Sequence, residues 1–133
     1  MDNSLLAVRG INHKYIVVGG KMSLGSDFPG DEMGAEPLKS IETGITRRMI
    51  GQPDSLALEP YDECMSVNDM IEGYTKTPAY VFRMEQKLGS IEVGKYADFV
   101  VLKENIFNTN KYKIHDIPIM MTVMNGETTY SKF

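Results

Sequence analysis

Few residues of this 133-residue chain could do chemistry, and they stand far apart. Asp27 lies in the run LGSDFP, behind Gly25-Ser26 and ahead of Pro29. On local grounds it reads as a turn or helix-capping aspartate. The two histidines, His13 and His115, are not paired, and most of the chain separates them. A zinc site needs three or four donors in fixed geometry, and one aspartate with two distant histidines does not supply them. Cys64 has no neighbouring base or CxxC partner, so it reads as a buried or idle thiol. Arg47-Arg48 is the nearest approach to a cationic cluster. It reads first as a solvated helix face, with the mouth of an active site as the alternative. The acids Asp31, Glu32 and Glu36 lack calcium-loop spacing and are expected to face solvent.

Composition narrows the classes further. Apolar content of 42% with 24% charged residues is that of a folded globular chain. The length allows one domain with a core, well short of the ~250 residues of a (β/α)8 barrel. A net charge of −4 argues against nucleic acid, whose phosphates want clustered Lys and Arg. No apolar run approaches the ~20 residues of a membrane span, and no secretory signal opens the chain. A single cysteine excludes an intrachain disulfide and suits a reducing compartment, so a cytoplasmic address is expected. Ten methionines suit a packed interior or an adaptable interface.

The elements that must position these residues alternate in type. YIVV-GG-KMSL reads as a β-hairpin, Gly-Gly supplying the turn. Pro37 suits the first turn of a helix, and Leu38, Ile41, Ile45 and Met49 then recur on one face up to Gly51. Gly44 inside that pattern costs about 1 kcal/mol against Ala, so the helix must gain stability by packing. A second helix starts at Ser66, where Ser66 and Asp69 resemble a capping box, with Val67, Met70, Ile71 and Tyr74 on its apolar face. A short helix is expected over 78–86, burying Val81, Phe82 and Met84. Tyr74 and Tyr80 should pack between helices and sheet.

FVVL (Phe99 to Leu102) reads as a strand buried on both faces. Lys103 to Pro118 reads as a polar loop. Ile119 to Met124 and Glu127 to Ser131 flank Asn125-Gly126, a strong type I′ hairpin signal, and Met120, Met121 and Met124 read as packing residues.

Five pieces in this order carry a resemblance: GSDFP, ITRR, GYTKTPAY, LGSIEVGKYADFVVL and TVMNGETTY. Together they resemble the C-terminal end of the amidohydrolase superfamily, nearest the branch of D-aminoacylases and deformylases acting on N-substituted amides. The match covers about residues 20–133. What it implies is an α/β fold: the last β/α unit of an amidohydrolase TIM barrel, then helices, then the C-terminal strands of a small composite β-sandwich. A chain standing alone would be mixed α+β. The implied division places the barrel end in 1–60, connecting helices in 61–87 and sandwich strands in 88–133.

By the same resemblance Asp27 matches the aspartate that ends the eighth strand. There it is catalytic, and a possible metal ligand only beside donors from a segment this chain lacks. The implied chemistry is attack of Zn2+-activated water on a small amide or related substrate, with Asp27 as general acid and base. The HxH pair and other metal-ligand histidines of the superfamily are not in this sequence. The chain alone is therefore expected not to hold the metal tightly or turn over substrate. The residues of GKYAD read as structural: Gly94 turns the chain, and Asp98 hydrogen-bonds local backbone. A different reading stays open, in which a non-catalytic α/β module self-associates through exposed barrel surface. Under either, a homo-oligomer or the missing N-terminal segment is the expected partner.

Overall fold

The chain is seen in a computed structural model that describes residues 16–18, 20–25, 36–60 and 63–133. In order these form β1 (Ile16–Val18), β2 (Lys21–Ser23), α1 (Pro37–Thr46), α2 (Val67–Tyr74), α3 (Lys76–Val81), β3 (Phe99–Leu102), β4 (Ile119–Met124) and β5 (Glu127–Ser131). The architecture is mixed α/β with two small antiparallel sheets.

β1 and β2 pair as the expected hairpin, Val17 opposite Met22. Among the described residues β2 pairs with no other strand. The second sheet has the order β3-β4-β5, antiparallel throughout. Asn125 and Gly126 join its last two strands with φ of 51° and 80°, the double positive φ that a type I′ turn demands. FVVL is the edge strand of this sheet rather than a strand covered on both faces. Its Val100 is 52% exposed because that face of the sheet is open.

α1 begins at Pro37 as the sequence implies, but it ends earlier than its apolar pattern does. Arg47 turns left-handed at φ 51° and its N–H closes on the Thr43 carbonyl at 2.7 Å. Met49 therefore falls beyond the helix and is exposed. Ser40 to Arg47 are all buried, polar residues included. Gly44 explains how a second helix comes so close. A Cβ there would stand 2.5 Å from the Sδ and Cε of Met70, the most buried side chain of α2.

α2 is capped as expected: Ser66 Oγ accepts from the Asp69 N–H at 3.1 Å, and the Asp69 carboxylate accepts from the Ser66 N–H at 3.3 Å. α3 is shorter than expected, since Arg83 adopts φ 56° and the Met84 N–H bonds back to the Ala79 carbonyl at 2.8 Å. Phe82 and Met84 are consequently exposed, and Thr77 and Ala79 take the buried places. Tyr74 is half-buried against the core, whereas Tyr80 is largely exposed.

The core gathers Leu24, Ile41, Ile45, Met70, Ile106, Ile114 and Ile117. Three of these seven come from the polar segment between β3 and β4, which sequence periodicity leaves as a loop. A single 3-10 turn, Ile114–Asp116, presses Ile114 out of contact with water and against α1. Met120 and Met121 are half-buried, while Met124 is 65% exposed beside the hairpin turn. Among the described residues no helix is long and apolar enough to cross a membrane.

Candidate functional site

Asp27 and His13 lie outside the described residues, as do Asp31 and Glu32. β2 ends at Ser23, and Leu24 and Gly25 follow it into the core region, Leu24 donating its N–H to the Gly73 carbonyl at 2.9 Å. The strand that precedes Asp27 in sequence is thus tied to the end of α2.

The other sequence candidates have structural partners. His115 sits in the 3-10 turn facing α1, and its ring is joined to Glu42. Glu42 Oε2 lies 2.6 Å from Nδ1 and also accepts the backbone N–H of His115 at 3.0 Å. A carboxylate oxygen can only accept, so Nδ1 carries the proton in this pair. On the other side of the ring, Nε2 stands 3.2 Å from Asp116 Oδ1. The Glu42 side chain is 4% exposed and that of His115 is 15% exposed. The Glu42 contacts join α1 to the 3-10 turn, so the pair holds these elements together. Sequence reasoning missed Glu42 because a lone acid in a helix looks like a solvent residue. Its one signal is position: it follows Ile41 immediately and lies beside the apolar face.

Arg47 and Arg48 are not a solvated helix face. Arg47 is 5% exposed. Its Nε donates to the Leu58 carbonyl at 2.8 Å and its terminal nitrogen to the Glu59 carbonyl at 2.7 Å. Glu63 approaches the same guanidinium at 3.9 Å. Arg48 donates to the carbonyls of Pro53, at 2.7 Å, and Ser55. Two adjacent guanidiniums thus supply the donors that a Pro-rich connection lacks. Cys64 is exposed rather than buried. Glu36 precedes α1 and pairs with Lys39 at 2.8 Å.

Asp98 has the backbone role expected of it, at longer range. Its Oδ1 accepts the Asn125 N–H at 2.6 Å, and the Gly126 N–H reaches the Ala97 carbonyl at 3.1 Å. The turn of one hairpin is held by the residues just before β3.

These arrangements accompany a clear kinship. The sequence model of the amidohydrolase family matches residues 17–130. The chain belongs to that family. It is 31% identical over 108 residues to YtcJ of Bacillus subtilis (strain 168), whose name places it among the amidohydrolases. It is 29% identical over 115 residues to the N-substituted formamide deformylase of Arthrobacter pascens. Those alignments cover 81% and 86% of this chain and 20% of each relative, so the chain spans about a fifth of the length of the curated relatives it matches. No solved structure matches the chain significantly.

Such enzymes usually carry a metal, and the described residues do not fit one. No three His, Cys, Asp or Glu side chains among them converge in a way that could hold an ion. Glu42, His115 and Asp116 lie near one another, but the Nδ1 of the ring is already bonded to Glu42.

Proposed function

We propose that this chain supplies the C-terminal part of a hydrolase acting on carbon–nitrogen bonds other than peptide bonds, with Asp27 as its general acid and base. The observation that carries the reading is the family match over residues 17–130. The deformylase name of one relative supports an N-substituted amide as the substrate class. In this reading β2 and α1 belong to the last β/α unit of a TIM barrel within 1–60. Residues 61–87 connect, and 88–133 contribute β3–β5 to a composite β-sandwich. An antiparallel sheet with one open face supports that last assignment.

Asp27 would take the proton of the attacking water and return it to the departing amine, a role needing only hydrogen-bond reach to both. Zn2+ belongs to this reading only with donors from a segment outside the chain, and the chain alone is expected to be inactive. A cytoplasmic setting is part of the same proposal.

The test is a chimera in which this chain replaces the matching fifth of the Arthrobacter deformylase. Deformylation of an N-substituted formamide should survive the exchange, and Asp27→Asn should then lower kcat by about 10²–10⁴-fold. A chimera whose rate ignores Asp27→Asn would end the catalytic assignment.

One observation favours a second reading, a self-associating module. Val100 and Tyr130 expose an apolar face on cross-strand neighbours of Thr122, and β3 and β5 are open edges. Sedimentation at graded concentration separates the two readings. A stable dimer that forms no active chimera supports the module.

A further inference from the structure

Asn125-Gly126, the turn between β4 and β5, is the one place in the chain where glycine follows asparagine. Both residues are exposed, and a Cβ on Gly126 would meet nothing within 4 Å. The backbone nitrogen that follows Asn125 is therefore shielded by no side chain. Among the described residues no hydrogen bond holds the Asn125 side-chain amide. Asn105 and Asn110 differ, each committing its side-chain oxygen to a backbone N–H two residues on, at 2.9 and 3.0 Å. We propose that Asn125 is a self-modification site: the Gly126 nitrogen closes on its side chain, and the tether of the turn to Ala97 and Asp98 sets the rate.

The chemistry needs only water besides the chain. The Gly126 N–H gives up its proton, and the nitrogen attacks Cγ of Asn125. The new nitrogen–Cγ bond forms, the Cγ–Nδ2 bond breaks, and ammonia leaves with the proton. The product is a cyclic imide, which water opens at one of its two carbonyls. Opening at Cγ leaves aspartate in an ordinary peptide. Opening at the backbone carbonyl carries the chain through Cγ as isoaspartate. One water enters, one ammonia departs, and nothing is oxidised or reduced. Asparagine counts among the thermolabile residues, and this follower is the least obstructive one.

The folded turn resists this reaction. The Gly126 N–H donates to the Ala97 carbonyl at 3.1 Å, so the attacking nitrogen keeps its proton and its orientation. The Asn125 N–H is held by Asp98 Oδ1 at 2.6 Å. With both amides tied, the reaction runs through brief local openings of the turn, whose population the tether controls. Conversion then damages the turn that produced it. It places a new carboxylate beside Asp98, whose oxygen already touches the residue 125 amide, and like charges this close repel. Isoaspartate also lengthens the backbone of a two-residue turn that needs positive φ at both positions. Each event therefore loosens the β4–β5 closure permanently.

The experiment incubates the folded 133-residue chain at mildly alkaline pH and follows each asparagine by peptide mass spectrometry, with isoaspartate resolved by chromatography. Conversion should concentrate at Asn125, while Asn108, also exposed but followed by Thr109, stays an amide. Asp98→Ala should raise the Asn125 rate about fivefold, because losing one hydrogen bond shifts local opening by that order. Guanidinium chloride removes the tether without any substitution and should raise the rate further. A rate at Asn125 no faster than at Asn108 overturns the inference. So does an equal rate in the folded and the denaturant-unfolded chain, a comparison that stands even where Asp98→Ala does not fold. A folded Asp98→Ala chain that converts at the parent's rate overturns it as well. None of these outcomes depends on Asp27.

Discussion

Glu42 Oε2 accepts two hydrogen bonds from one residue, His115, through its backbone N–H and through Nδ1, across 73 positions of sequence. The pair ties α1 to the 3-10 turn that delivers Ile114 to the core. A buried carboxylate stripped of donors is costly, whereas one with two donors is tolerated.

His115→Ala should therefore destabilise the chain by about 1–3 kcal/mol, since the ring donor is lost and the backbone donor stays. Glu42→Ala should cost more than Glu42→Gln, whose amide oxygen still accepts. Equilibrium urea unfolding measures all three. A His115→Ala midpoint equal to the parent's would mean that the ring contributes nothing to holding α1.

At Gly44 two effects oppose each other. Alanine gains about 1 kcal/mol of helix propensity, but its methyl would collide with Met70, and overpacking typically costs about 1–3 kcal/mol. Gly44→Ala should be neutral to destabilising alone. Combined with Met70→Ala it should become stabilising relative to Met70→Ala by itself. A double-mutant cycle reads this sign change, and additive energies would count against the close approach.

Asp98→Ala should loosen the Asn125-Gly126 turn by removing the acceptor of the Asn125 N–H. The global cost should be about 1 kcal/mol, because the site is exposed. Amide exchange at Asn125 should accelerate while that of Met70 changes only in step with global stability. Uniform acceleration everywhere would show that Asp98 acts on the whole fold instead.

Glu92 gives a pH prediction. Hydrogen bonding to Ser90 and the nearby Lys95 ammonium hold its carboxyl below the ordinary 4.5. A depressed folded value means that the ionised network is complete above the carboxylate range and is lost as pH falls through the lowered value. Carboxyl NMR titration should place the Glu92 midpoint below 4.5, and Ser90→Ala should move it upward. An unmoved midpoint in that variant would remove Ser90 as the cause.

Much of the local structure was legible. The Ser66–Asp69 capping box, Pro37 at the start of α1 and the Asn125-Gly126 turn are short-range signals, each satisfied by neighbours a few positions away. What failed was burial. Met49, Phe82 and Met84 look like core residues by type, yet left-handed residues at Arg47 and Arg83 stop their helices first. Nothing in those arginines announces a positive φ. Ile106, Ile114 and Ile117 lie in a segment without periodicity, so their burial depends on tertiary partners alone. The roles of Glu42 and of Arg47 were hidden for the same reason: their partners are distant in sequence. The family was legible because it rests on the order of several turn-and-strand pieces. Asp27, the residue with the strongest chemical claim, was legible only through that order.

The packing of Ile114 and Ile117 against residues of the Ile41–Ile45 region has a consequence for birth on the ribosome. Synthesis proceeds at about 5–20 residues per second. The 73 positions between Glu42 and His115 then take roughly 4–15 s to emerge. Throughout that interval the nascent α1 carries an apolar stripe and an acid whose covering residues have not been made. The packing of α1 against the 3-10 turn can therefore form only after residues 114–117 have been made.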